Sequence, residues 1–178
     1  MVPSREKVVS IFESHTDIIV KSRREVEYGH KVCLTTGKSS MILDCMILEG
    51  NPADSTLATE MIRRHREIFD VVPLAVAFDG GFASKDNLVE AKAMGVGAVA
   101  FSKRRGIEIR EMVPESWVYK RLRDFRAGIE GCISYLKRCF GWTRSSWEGF
   151  ASFKSYVWGS ILSANLLILA RHRMATAT

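Results

Sequence analysis

The 178 residues suffice for one domain with a substantial core, and a composition 47% hydrophobic and 26% charged excludes a disordered, collagenous or repeat-array chain. The formal net charge of +6 is uneven: residues 1–100 hold 12 Lys/Arg against 14 Asp/Glu (−2), and residues 101–178 hold 14 against 6 (+8). A basic C-terminal block suits a polyanionic partner, DNA or RNA, and equally suits a solvated helix surface.

The N-terminus, MVPSREKVVS, does not read as a signal peptide. Val8, Val9, Ile11 and Phe12 cluster as a weak helix, and Ile18–Val20 reads as a short strand. Tyr28–Thr35 and Met41–Leu48 are strand-like, and TTGKSS between them supplies hairpin turn chemistry. Asp54 is expected to cap a helix running through Ile68, with Glu60, Arg63, Arg64 and Glu67 on its wet face. Pro73–Phe78 reads as a buried strand broken by Asp79-Gly80-Gly81. Ser84 caps a further helix that stops at Gly95, and Val96–Phe101 is a second buried strand before the basic turn SKRRG. A long helix is predicted from an N-cap at Ser116 to about Phe140, and a last one from about Ser146 to Arg171. The apolar stretch Tyr156–Ala170 is too short for a bilayer and carries Ser160, Ser163 and Asn165, so a core helix is expected. The alternation of strands and helices after a hairpin predicts an α/β fold with a mixed sheet covered by helices.

Cys33, Cys45, Cys132 and Cys139 form no CxxC pair, and His15, His30, His65 and His172 show no zinc spacing. Cys132 and Cys139, seven apart and so on one helical face, are expected to be core or half-buried thiols, in a reducing cytoplasm.

Two features carry chemistry. Asp79 follows an apolar strand and precedes two glycines, which presents a carboxylate at the C-terminal edge of a sheet, where α/β proteins bind ligands. The glycines permit close approach; a plain turn aspartate is the competing reading. On the long helix, Arg126, Glu130 and Lys137 are spaced i, i+4 and i+11, one helical face. A carboxylate flanked by cations suits a metal ligand whose neighbours hold phosphates, and also suits an exposed ion pair.

The string AFDGGFASKDN around Asp79 resembles the D-x-G-Y-x-S-x-x-N box of DDE-type bacterial insertion-sequence transposases. RAGIEGCISYLK, from Arg126 to Lys137, resembles the R-x3-E-x6-K part of their YREK signature. SIFESHTDIIVKSRREVEYGHKV, LEGNPADSTL and FGWTRSSWEGFASFKSYVWGSILSANLLILAR are also similar to family segments, in the same order. The likeness covers nearly the whole chain. Two departures stand out. Arg123 occupies the signature's tyrosine position, with Tyr119 one turn back, and nothing upstream of His15 supplies the first catalytic aspartate; neither Asp17 nor Asp44 matches its place.

The resemblance implies an RNase-H-like mixed sheet flanked by helices, lacking its first strand, with long C-terminal helices. Residues 1–178 would be the C-terminal portion of a DDE catalytic domain, N-terminally truncated and without the DNA-recognition domain. It implies DNA transposition, in which transposon-end DNA is cleaved and joined by two-metal phosphoryl transfer. Asp79 and Glu130 would bind Mg²⁺ (or Mn²⁺), and Arg126, Lys137 and Arg138 would bind nucleic acid. This chain alone would be inactive; the alternative is a catalytically dead DNA-binding remnant or a regulatory protein. Implied partners are double-stranded DNA and, in a homo-oligomer, further copies of the chain, with no membrane and no small-molecule cofactor. The implied location is the bacterial cytoplasm, on the nucleoid when bound to DNA.

Overall fold

The computed structural model describes Glu13, residues 15–20 and residues 26–176. The expected helix around Val8–Phe12 lies outside the described residues. Contacts divide the chain into two compact units, one of residues 1–51 with 132–178, the other Pro52–Gly131.

In the first unit, β1 (Asp17–Val20) pairs antiparallel with β2 (Val26–Gly29), and β3 (Val32–Thr36) with β4 (Ile42–Ile47). The single strand expected over Tyr28–Thr35 is therefore two, because Gly29, at φ 149°, breaks the ladder before His30 and Lys31. The TTGKSS hairpin forms as expected: Gly37 N donates to Met41 O and Ser40 N to Gly37 O. The end of α4 (Ser116–Cys139) and α5 (Phe150–Thr176) complete this unit. Its core is Ile42, Cys45, Leu136, Val157, Ile161 and Ala164. Asn165, a polar residue inside an apolar run, bonds both main-chain groups of Ile42 at 2.9 and 2.8 Å, pinning α5 to β4.

Helix α5 is not the core helix expected from its composition. Its buried residues are Val157, Ser160, Ile161 and Ala164, while Trp158, Leu162, Leu166, Leu167 and Leu169 are exposed. At 27 residues it is, by length and apolarity, long enough to cross a membrane, unlike the shorter run read from sequence.

His15 and His30 meet through their ring nitrogens in the same unit, Nδ1 to Nε2 at 2.7 Å. Asp17 holds the other nitrogen of His30 at 3.1 Å and accepts from Gly50 N at 2.8 Å. Glu13 binds His15 and accepts from Gly149 N at 3.0 Å. Burial pushes the pKa of His30 below its ordinary value, outweighing the opposing pull of Asp17. Asp17 is thus a structural acceptor here. Asp44 is buried and turns Oδ1 back to Cys45 N.

The second unit carries a 3₁₀ turn Asp54–Thr56, α1 (Ala58–Phe69), β5 (Ala75–Phe78), a 3₁₀ turn Gly80–Phe82, α2 (Lys85–Ala93), β6 (Ala98–Phe101), α3 (Ile109–Met112) and most of α4. Strands β5 and β6 pair in parallel, with α2 as their crossover. Ser84 caps α2 as expected, accepting from Asn87 N at 3.0 Å. Short α3 was not read from the sequence; the reciprocal bonds of Glu108 and Glu111 form it. Asp54 caps no helix: it lies inside the first 3₁₀ turn, and the residue before α1 is Leu57.

All four residues of β6 are buried, but β5 is exposed or half-buried, against the expectation of a buried strand. The reason is the sheet: β5 has one partner, β6, and no strand on its other edge among the described residues. The core gathers Ile62, Val96, Val99, Phe101, Met112, Val113 and Tyr119. The result is a mixed α/β fold, its antiparallel and parallel ladders all two-stranded.

Candidate functional site

The parallel ladder builds the site. It ends at Phe78 and Phe101, and Ser102 N continues it by donating to Phe78 O at 3.0 Å. The residue that follows β5 is Asp79, which caps the Gly80–Phe82 turn with its own side chain. Both sequence readings of Asp79 therefore hold locally: it is a turn aspartate, and it stands at the C-terminal end of a parallel strand.

Three donors converge on Asp79 Oδ1. Gly80 N lies at 2.7 Å, Ser102 Oγ at 2.8 Å and Arg126 Nη2 at 3.1 Å. No donor from the described residues is assigned to Oδ2. Burial raises the carboxyl's pKa, but the bonds from Ser102 and Gly80 and the charges of Arg126 and Lys103 outweigh it and hold the group below its ordinary value. Asp79 is an anion at neutral pH.

Arg126 connects the two elements. Its Nη1 lies 2.9 Å from Glu130 Oε1, one helical turn along α4, while Nη2 reaches Asp79. One guanidinium thus spans the two carboxylates singled out from the sequence. Its side chain is only 22% exposed, against 55% for Asp79 and 64% for Glu130, so the carboxylates face solvent while the cation sits between them.

Packing requires the first glycine and crowds the second. A Cβ on Gly80 would fall 2.6 Å from Lys103 Cβ, and one on Gly81 would fall 2.2 Å from Asp54 Oδ2. The basic turn after β6, which the sequence left as either solvated or phosphate-binding, therefore brings the Lys103 stem against the Asp79 loop. Asp54 rests against the same loop.

Lys137 and Arg138 are exposed near the end of α4, where Arg138 Nε donates to Ser134 O at 3.4 Å. They follow Arg126 and Glu130 on the same helix but belong to the other compact unit. Tyr119 is buried, and its hydroxyl donates to Phe101 O at 2.8 Å. Ser102 was not among the residues singled out from the sequence. Its only signal was its position as the first residue of SKRRG, and it becomes visible when the β5–β6 register sets it beside Asp79.

Asp79 and Glu130 carry the hard oxygen donors that a divalent cation takes, with Arg126 now paired to both. Asp79 and Glu130 offer carboxylate oxygens already joined by one positive group, and Mg²⁺ binds through one or two carboxylates with water and phosphate completing its shell. Among the described residues no group of three His, Cys, Asp or Glu side chains is arranged to hold a metal.

A family model described as the transposase DDE domain matches residues 16–166. No curated protein and no solved structure matches the chain.

Proposed function

We infer the activity from family and site together: this chain belongs to the transposase DDE domain family, and its function is in DNA transposition. The substrate is double-stranded DNA, and the reaction is cleavage of transposon-end DNA with joining of the freed 3′-hydroxyl to target DNA. The observation that carries this reading is Arg126 spanning Asp79 and Glu130 at the end of a parallel strand.

A pair of divalent cations, Mg²⁺ or Mn²⁺, supplies Lewis-acid stabilisation of the attacking and leaving oxygens in such chemistry. Asp79 and Glu130 are the residues of this chain that would hold them. Asp79 is suited to this because its carboxylate is kept ionised and its Oδ1 is fixed by three donors. Arg126 neutralises both carboxylates in the free protein, and its fork matches a phosphate diester when DNA is present. Lys103 adds charge beside the Asp79 loop. Lys137 and Arg138, exposed on α4, would contact phosphates in a sequence-independent manner. The work takes place in the bacterial cytoplasm, on the nucleoid.

The ligand count favours a second, narrower reading for these 178 residues tested alone. Asp17 and Asp44 are engaged in the first unit's own framework, and the matched motifs supply Asp79 and Glu130, two carboxylates where the family's chemistry uses three. On this reading the chain alone binds DNA without cutting it, as a remnant or a regulator would. The deciding experiment is a strand-transfer assay on pre-cleaved transposon-end DNA. It compares this chain with one extended upstream by a strand that carries an aspartate. Activity in the longer protein, abolished by Asp79→Ala and by Glu130→Ala, supports the transposase site. Activity that survives both substitutions overturns it, and activity of the 178 residues alone overturns the narrower reading.

A further inference from the structure

The Asp79 carboxylate turns about a soft bond. The terminal torsion of an aspartate is broad and nearly two-fold, so either oxygen can face a ligand unless something fixes the rotation. Here all three assigned donors, from Gly80, Ser102 and Arg126, go to Oδ1. The carboxylate is therefore clamped at one oxygen, with the other left for a cation.

The three clamps differ in permanence. Gly80 N is local to the turn and comes with it. Arg126 is shared with Glu130 and is itself a cation, so its hold on Asp79 is the one that a divalent ion taking the carboxylates would displace by like-charge repulsion. Ser102 is different, because its own backbone is tied to the sheet through Ser102 N to Phe78 O at 3.0 Å. The parallel register brings Ser102 beside Asp79, and its hydroxyl lies 2.8 Å from Oδ1. It has no net charge and does not compete for the cation.

We propose that Ser102 is a positioning residue of the metal site: its hydroxyl fixes the rotation of Asp79 so that Oδ2 meets the divalent ion. This rests on the assignment of Asp79 as a metal ligand. The role is that of an outer-sphere partner that orients a ligand, and loss of such partners typically weakens metal binding about 10–100-fold. A serine that merely stabilised the turn would affect melting and leave metal affinity intact.

The test is Mn²⁺ alone, titrated into the full chain and followed by the loss of the free-ion signal in electron paramagnetic resonance. Thermal melting is recorded in parallel. Parent, Ser102→Ala, Ser102→Gly, Ser102→Thr and Asp79→Asn are compared. The expected result is that Asp79→Asn abolishes the binding and that both hydroxyl deletions weaken it at least about tenfold. Ser102→Thr, which keeps the hydroxyl, should return it to within about threefold of the parent, well short of that loss. If a folded Ala or Gly variant binds Mn²⁺ like the parent while Asp79→Asn does not, Ser102 has no positioning role and the metal-site reading survives. If Thr binds as weakly as Ala, the hydroxyl is not what matters and the proposal fails. If the parent shows no Mn²⁺ binding, or Asp79→Asn leaves it unchanged, the metal-site reading itself fails and takes the proposal with it.

Discussion

Tyr119 on α4 donates its hydroxyl to the main-chain carbonyl of Phe101, 2.8 Å away at the end of β6. It is the tyrosine nearest in sequence to the place where the YREK signature has its own, one turn before Arg123, and it is buried. Its oxygen anchors the helix that carries Arg126 and Glu130 to the strand that leads into Ser102. The hydroxyl is therefore spent on structure, one turn short of the position from which the family's tyrosine would reach DNA.

Tyr119→Phe should cost about 1 kcal/mol, the usual net value of one hydrogen bond. For a chain of this size that is a fall in melting temperature of about 2–4 °C. DNA binding at fixed salt should be unchanged. A loss of DNA affinity without loss of stability would return the residue to the interface.

Replacing Arg126, Lys137 and Arg138 by glutamate should weaken DNA binding and flatten its salt dependence. For every phosphate left without its cation, the slope of log affinity against log salt should fall by about 1. Binding measured by fluorescence anisotropy from low to moderate salt checks this. A slope equal to that of the parent would mean that these cations are only solvated.

Gly131 follows Glu130 on α4, and a Cβ built on it meets nothing within 4 Å. A glycine inside a helix costs about 1 kcal/mol relative to alanine, with part of the cost in the unfolded chain. Gly131→Ala should therefore stabilise the protein by about 0.5–1 kcal/mol in urea unfolding. If DNA affinity falls at the same time, the bare backbone beside Glu130 is there to let the ligand approach.

His30 provides the pH dependence. Burial lowers its folded-state pKa, so the fold favours the neutral imidazole, and the unfolded chain binds the proton more readily. That contribution to stability is complete above the unfolded value of about 6.5. It is lost as the pH falls through the lower folded value, when the proton is forced onto a ring packed beside His15, Phe150 and Phe153. Asp17, which accepts from the ring, moderates the loss. Between pH 7.5 and 5.5 the parent should lose more unfolding free energy than His30→Gln. Equal losses would show that His30 does not titrate in this range.

The sequence by itself determined the local elements and the identity of the chemistry-bearing residues. The capping serine of α2, the hairpin turn, the apolar strand before Asp79 and the i, i+4 spacing of Arg126 and Glu130 are all short-range facts, and short-range patterns carry them. What failed to show was set by partners distant in sequence. Ala75–Phe78 has the composition of a buried strand but remains half-exposed, because burial depends on a second neighbouring strand and, among the described residues, β5 pairs with β6 alone. Phe150–Thr176 has the composition of a core helix but buries a narrow stripe, because the opposing surface of its unit covers only Val157, Ser160, Ile161 and Ala164. Asp54 looked like a cap and instead rests against Gly81. Ser102 looked like the start of a basic turn, and only the parallel register of β5 and β6, which joins residues 23 positions apart, puts its hydroxyl on Asp79. Tertiary structure decided these because hydrogen-bond partners and burial belong to pairs of segments, and one segment's composition cannot name the other.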